Sequence, residues 1–269
     1  MNKSFTKNII CIVQARMSST RLFGKVLLPG YKKPLLLHLI DRLKKSKFMT
    51  TVVVATTTNH IDDVIYDMCL KNKIKVYRGH PTNLLNRYYN CAKHYKKSTI
   101  VRITSDCPLM DHKIIDNMLL TFNNKKPDFI SNIHPPTFPD GYDIEIFKFK
   151  ALKKAFLNAN KDFEREHVTP YIWDNPKKFK ILNFFNIKKK NYYNLYRLTL
   201  DYKEDYYVIW NIFNKLYPKK KKFELEDVIK YLKKNQNIIK NKPFHKVNWY
   251  RHHLNKLKTI SRKNTKIIK

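Results

Sequence analysis

The sequence predicts an α/β protein, a mainly parallel sheet with helices on both faces. Two observations carry that reading. Short apolar, β-branched runs alternate with amphipathic stretches from residue 9 to about residue 122. A turn-like segment rich in cations and hydroxyls follows the first of those runs, where open α/β sheets bind nucleotides. With 269 residues and 43% apolar content, the chain can bury a substantial core as one large domain or two small ones.

The elements follow in order. Residues 9–13 form a buried first strand. Over 34–45, Leu35, Leu36, Leu39, Ile40 and Leu43 recur at helical spacing behind Pro34. The β-branched run 51–57 is the second strand. A helix at 61–72, a short strand at 75–77, a helix at 84–96 and a strand at 99–104 come next. Asp111 caps a helix over 111–122. Beyond about residue 127, strands are expected at 128–131, 142–147, 180–185 and 197–200. Helices are expected at 148–160, 164–175, 204–217 and 224–235. This divides the chain into a folded domain, 1–237, and a basic, weakly periodic C-terminal tail, 238–269, expected to be mobile.

Composition narrows the function classes. No run of about 18 uncharged apolar residues is present, so no membrane span is expected. The N-terminus has no apolar segment with a small-residue cleavage site, so no secretory signal is expected. Cys11, Cys69, Cys91 and Cys107 are widely spaced and form no C-x-x-C, which suits a reducing cytoplasm. The net charge of +34 invites a nucleic-acid partner, but only +10 of it lies in 238–269 and the rest is diffuse. The chain is also rich in Asn, Ile, Tyr and Phe and has only four glycines, a pattern that A/T-rich codons produce without selection for a polyanion. Nucleic-acid binding is therefore the weaker reading, while the field still attracts anionic substrates.

Two segments carry chemistry. The stretch 14–25 reads Q-A-R-M-S-S-T-R-L-F-G-K. Its backbone N–H groups and hydroxyls can hold phosphate oxygens, while Arg16, Arg21 and Lys25 neutralise them. It lacks the G-x-x-x-x-G-K-[ST] of a Walker loop. The second segment, T-S-D-C-P-L over 104–109, puts Asp106 just past a buried strand. A carboxylate there suits Mg²⁺ shared with phosphate oxygens, or it caps the next helix, for which Asp111 is better placed.

The motifs Q-A-R-M-S-S-T-R-L-x-G-K-V-L, V-V-A-T-T-T, V-R-I-T-x-D-C-P-L, P-D-G-x-D-I-E, E-R-E-H-V-T-P-Y and L-T-L-D-x-x-E-D stand in order over about residues 8–235. Together they resemble the spore coat polysaccharide biosynthesis protein F family, itself similar to CMP-sugar synthetases such as the acylneuraminate and 3-deoxy-manno-octulosonate cytidylyltransferases. The resemblance implies a Rossmann-like, glycosyltransferase A-like nucleotidyltransferase fold, a three-layer sandwich with a mixed, mainly parallel sheet. It implies transfer of CMP from CTP to an acidic sugar, with release of pyrophosphate, Mg²⁺ as cofactor and a role in surface polysaccharide synthesis.

Carried over by position, Ala15, Arg16, Ser19, Arg21 and Lys25 line the CTP phosphates, and Arg16, Lys25 and Asp106 are catalytic. Thr56 and Thr57 approach the base, Arg87 adds a cation, and Asp106 and Asp201 hold the metal. Asp201 reads equally as the N-cap of the 204–217 helix. Asp140, Asp143 and Glu145 border the sugar or pair with nearby lysines; Arg165 or His167 meets a sugar carboxylate, or His167 is simply packed. Asp143 and Glu145 alternate onto one strand face. The chain departs from the family pattern at Ser105, Phe23 and Asn83, where glycine, proline and an acid are usual. A glycosyltransferase using a preformed nucleotide sugar is the competing activity, but it needs no such loop and usually shows D-x-D where this chain has S-D-C. The apolar faces around Tyr206, Ile209, Trp210 and Phe213 belong to the core or to a homodimer contact.

Overall fold

The computed structural model describes residues 6–186 and 190–245. Its strands are β1 (Ile9–Gln14), β2 (Val52–Thr57), β3 (Lys75–Gly79), β4 (Thr99–Thr104), β5 (Phe129–Ser131), β6 (Glu145–Lys148) and β7 (Ile181–Asn183). They form one sheet in the order β3-β2-β1-β4-β6-β5-β7. β6 alone runs against its neighbours β4 and β5; the other pairs are parallel.

The side-chain alternation of β1 sorts the core into two layers. Ile9, Cys11 and Val13 face one way and Ile10 and Ile12 the other, all fully buried. The first face packs against α1 (Leu35–Leu43), α2 (Asp63–Lys71), α4 (His112–Lys125), α8 (Lys203–Leu216) and α9 (Leu225–Lys234). The second packs against α3 (Leu84–His94), α5 (Phe149–Asn158), α6 (Asp162–His167) and α7 (Pro170–Trp173). Strands covered on both faces read as continuous apolar runs, which is why β1, β2 and β4 are the clearest elements in the sequence.

The strand order reverses between β1 and β4, whose ends are in register at Gln14 and Thr104. The loops leaving these two strands diverge and open a crevice at their carboxyl ends, the usual ligand position in open α/β sheets. Ser105 N–H donates to Gln14 O, holding the start of one loop against the end of β1.

Three elements differ from expectation. The strand predicted over 142–147 begins only at Glu145, because Asn132 replaces the ladder before it. Its amide donates to Tyr142 O and its carbonyl accepts from Ile144 N–H. The strand predicted over 197–200 is a single parallel bridge between Asp140 and Arg197. The single helix predicted over 164–175 is two short helices. Pro170 opens α7, and Val168 before it sits at φ 71°, a left-handed conformation that ends α6.

The described part of the C-terminal segment packs on the fold. Ile238 and Ile239 are buried in the first core layer and Asn241 is fully buried, and 246–269 lie outside the described residues. Among the described residues no helix is long and apolar enough to cross a membrane.

Candidate active site

A cleft of about 450 Å³ opens at the carboxyl ends of β1 and β4. Its lining includes Ala15, Arg16, Ser19, Arg21, Lys25, Arg87, Asp106, Asp140, Asp143, Glu145, His167 and Asp201. The structure thus brings together all but three of the residues singled out above.

The loop after β1 is shaped by two anchors. Gly24 takes the left-handed conformation at φ 64° and donates its N–H to Met17 O, closing the loop on itself. Met17 N–H in turn donates to Asp62 Oδ1 at 2.6 Å, and Asp62, fully buried, accepts from Thr57 Oγ1 through its other oxygen. Thr57 is therefore a loop anchor, and Thr56 is fully buried in β2; neither lines the cleft. Arg165, the third absentee, is exposed and donates to Ala159 O, while Glu166 and His167 of the same helix line the cleft, Glu166 at its exposed edge.

Lys25 sits at the centre. Its ammonium, 8% exposed as a residue, donates to Leu200 O at 2.7 Å, Asp201 Oδ1 at 2.8 Å and Asp106 Oδ2 at 3.3 Å. Burial lowers its pKa, but Asp106 and Asp201 more than offset that and leave it above the usual lysine value. Asp201 is held down to about 2: burial opposes its charge, and Lys25 and Arg21 overcome that opposition. Asp201 does not cap α8. That carboxylate is Asp205, whose Oδ2 accepts from the backbone N–H groups of Asp201 and Tyr202. Asp106 does not cap α4 either; Asp111 does, accepting from Lys113 N–H.

On the opposite wall the charges are arranged differently. Arg197, 2% exposed, bridges Asp140 (2.8 Å), Asp201 (3.1 Å) and Asp205 (3.0 Å). Glu145 is taken up by Arg102 and by Thr169 Oγ1, which the break between α6 and α7 delivers at 2.6 Å. Burial, opposed by Arg197 and reinforced by Asp201, Asp106 and Asp205, pushes Asp140 up to about 7. Asp143 is raised well above the carboxylate range by burial and by Asp140, Asp106 and Glu145. The inner cleft is thus short of positive charge. Nearer the loop, Arg16 is exposed, and Arg87 is buried with no carboxylate in ion-pair contact among the described residues. Burial, with Arg16 adding repulsion, brings Arg87 down to about 10. Two cations without acidic partners among the described residues have the charge to take up a polyanion.

Sequence reasoning missed Asp62, Arg102, Arg197 and Asp205. Arg102 and Asp205 stand within the quoted motifs V-R-I-T-x-D-C-P-L and L-T-L-D-x-x-E-D, but the partners that give them roles, Glu145 and Arg197, are outside those motifs.

The cytidylyltransferase family model matches residues 10–241. The chain belongs to the cytidylyltransferase family. A solved cytidylyltransferase from Leptospira borgpetersenii is 40% identical and superposes with a TM-score of 0.80, covering 87% of this chain and 97% of its own. The spore coat polysaccharide biosynthesis protein SpsF of Bacillus subtilis is 32% identical over 77% of this chain and 87% of its own length. An uncharacterized protein of Methanocaldococcus jannaschii is 37% identical over 86% and 92%. This cytidylyltransferase is therefore a nucleotidyltransferase enzyme on the fold that its sequence predicted.

The donor set of this cytidylyltransferase fits a divalent ion. Asp106 and Asp201 reach one cation, the Lys25 ammonium, from two sides, so their carboxylates already converge on a single point. Among the described residues no group of three or more His, Cys, Asp or Glu is placed to hold a metal ion, so any ion there needs ligands from substrate or solvent. Two hard oxygen ligands with room for phosphate suit Mg²⁺, which is usually held by one or two carboxylates plus substrate.

Proposed function

We propose that the enzyme joins CTP to a hydroxyl of an acidic sugar, releasing pyrophosphate, and that the CMP-sugar feeds surface polysaccharide synthesis. The observation that carries this reading is one cleft in which the β1 loop and the Asp106–Asp201 pair stand next to a separate polar wall. The names of relatives support the chemistry. A 3-deoxy-manno-octulosonate cytidylyltransferase of Thermodesulfovibrio yellowstonii is 29% identical over 43% of this chain. Four unpaired, buried cysteines fit a reaction in the reducing cytoplasm.

The triphosphate lies along the loop, with Arg16 and Arg87 supplying charge and Ala15, Ser19 and Arg21 lining its path. The sugar occupies the wall formed by Asp140, Asp143, Glu145 and His167, where carboxyl groups hydrogen-bond to its hydroxyls and His167 meets its carboxylate. The sugar hydroxyl oxygen attacks the α-phosphorus; the α–β bridging bond breaks, pyrophosphate departs and the hydroxyl proton is lost. Lys25 and Arg16 stabilise the charge that grows on the α-phosphate and the leaving group. Mg²⁺, held by Asp106 and Asp201, supplies further charge neutralisation when bound. On the α8 face read as core or homodimer contact, Ile209 and Phe213 are fully buried and Tyr206 partly so, while Trp210 is 42% exposed; a homodimer contact is proposed at Trp210, to be read by analytical ultracentrifugation.

Loss of a preorganised charge should be costly. Arg16→Ala and Asp106→Ala are each expected to lower the rate of pyrophosphate release by about a hundredfold or more. Either purified, folded variant retaining near-normal turnover would reject the assignment of that residue.

A further inference from the structure

The segment after α9 reads as a basic tail, yet it packs against Arg197 and Asp205, which bond the cleft carboxylates. Residues 236–238 and 242–244 form two single 3₁₀ turns, and between them Asn241 is fully buried. The Asn241 amide donates to Arg197 O at 2.8 Å and to Asp205 Oδ1 at 2.8 Å. Both acceptors belong to the network that sets the cleft carboxylates. The Arg197 guanidinium holds Asp140 and Asp201, and Asp205 binds the Asp201 backbone N–H. Phe244 then stacks on Tyr202 with ring centroids 4.3 Å apart and planes 14° apart, directly behind Asp201.

The chemistry of position 241 is restrictive. Two acceptors, one a carboxylate, must receive two N–H groups in a dry interior. A neutral amide does this without adding charge. An apolar residue leaves Arg197 O without its donor and Asp205 Oδ1 with Arg197 Nε alone, at a desolvation cost, and an acid would face Asp205.

We propose that residues 236–245 are the rear wall of the active site, and that Asn241 is a positioning residue that fixes Asp201 and Asp140 through Arg197 and Asp205. The proposal rests on the reading of Asp106 and Asp201 as metal carboxylates. Asn241 touches no substrate. Its effect is on the orientation of one metal carboxylate and of the sugar-side carboxylate, whereas Arg16 and Arg87 lie outside its network.

The test compares wild type, Asn241→Ala, Phe244→Ala and Lys242→Ala, the last an exposed control in the same turn. Mn²⁺ binding to the full chain is followed by electron paramagnetic resonance, beside steady-state pyrophosphate release and thermal unfolding. Asn241→Ala is expected to weaken Mn²⁺ binding by about tenfold and to lower kcat by a similar factor, the scale set by losing a partner that orients a ligand. Its KM for CTP should stay within about twofold, because the loop cations are untouched. Phe244→Ala, which leaves every hydrogen bond of the network in place, should weaken Mn²⁺ by about threefold. It carries the test if Asn241→Ala fails to fold, and then unchanged Mn²⁺ binding overturns the proposal. Asn241→Ala that only melts earlier, with Mn²⁺ affinity and kcat unchanged well below its midpoint, also overturns it. A wild-type enzyme that binds no Mn²⁺ sinks the metal reading itself, and the proposal with it, an outcome distinct from failure of the variants alone.

Discussion

Gly141 sits at φ 102°, and a Cβ there would lie 2.3 Å from the Leu198 carbonyl carbon. The close approach lets Leu198 N–H donate to Asp140 O and brings 197–201 against 139–143. Gly141→Ala must therefore push apart two backbones that carry Asp140 and Asp201. The expected cost is about 3 kcal/mol or more, from the disfavoured φ and the overlap together, read as a fall in the thermal unfolding midpoint. An unchanged midpoint would contradict the packing described. At this scale the residues readable from sequence were those whose chemistry is local. Arg16, Lys25 and Asp106 flank buried strands in recognisable loops. Arg197 and Asp205 were not singled out because what makes them part of the site is the contact of Arg197 with Asp140, 57 residues away, which only the fold brings about. Thr57 was placed near the base only by its match to the family motif; its hydroxyl instead serves Asp62.

The helix α1 carries a test of its own. His38 is 1% exposed, packed between Phe213 and Tyr217, and bonded through Nε2 to Tyr31 O. Burial and then Lys33 lower its pKa to about 4. The folded state therefore refuses a proton that the unfolded chain accepts below about pH 6.5. Stability should fall as pH drops from about 6.5 to about 4, by roughly 1–3 kcal/mol from this residue. His134, partly buried in the loop after β5 and lowered to about 3 by desolvation, adds a loss of the same sign. Chemical denaturation from pH 7 to 4.5 should show a shallower slope for His38→Gln than for wild type; identical slopes would rule His38 out as a source. Element by element, periodicity located the strands and helices buried on one clear face. The α6–α7 break was missed because helical spacing continues through Val168 and Thr169. Pro170 was the signal available, and the break is what turns Thr169 toward Glu145.

Across the whole molecule, the diffuse +34 charge hides a cleft of two characters. One side presents Arg16 and Arg87 with no acid in contact among the described residues, and the other gathers Asp106, Asp140, Asp143 and Glu145. Net charge reported none of this, whereas strand order did, because the switch between β1 and β4 fixes where loops must converge. The expected tail boundary at 237 followed composition alone; lysines and asparagines there concealed Ile238, Ile239 and Asn241, which are buried. The central claim is cytidylyl transfer to an acidic sugar at this cleft. Pyrophosphate release by the purified enzyme with Mg²⁺, measured for each of the common nucleoside triphosphates against a panel of acidic sugars, tests it most directly. Release is expected with CTP and one acidic sugar, with near-background rates for the other nucleotides or for CTP alone. No release with any sugar, in a protein that also fails to bind CTP, would contradict it.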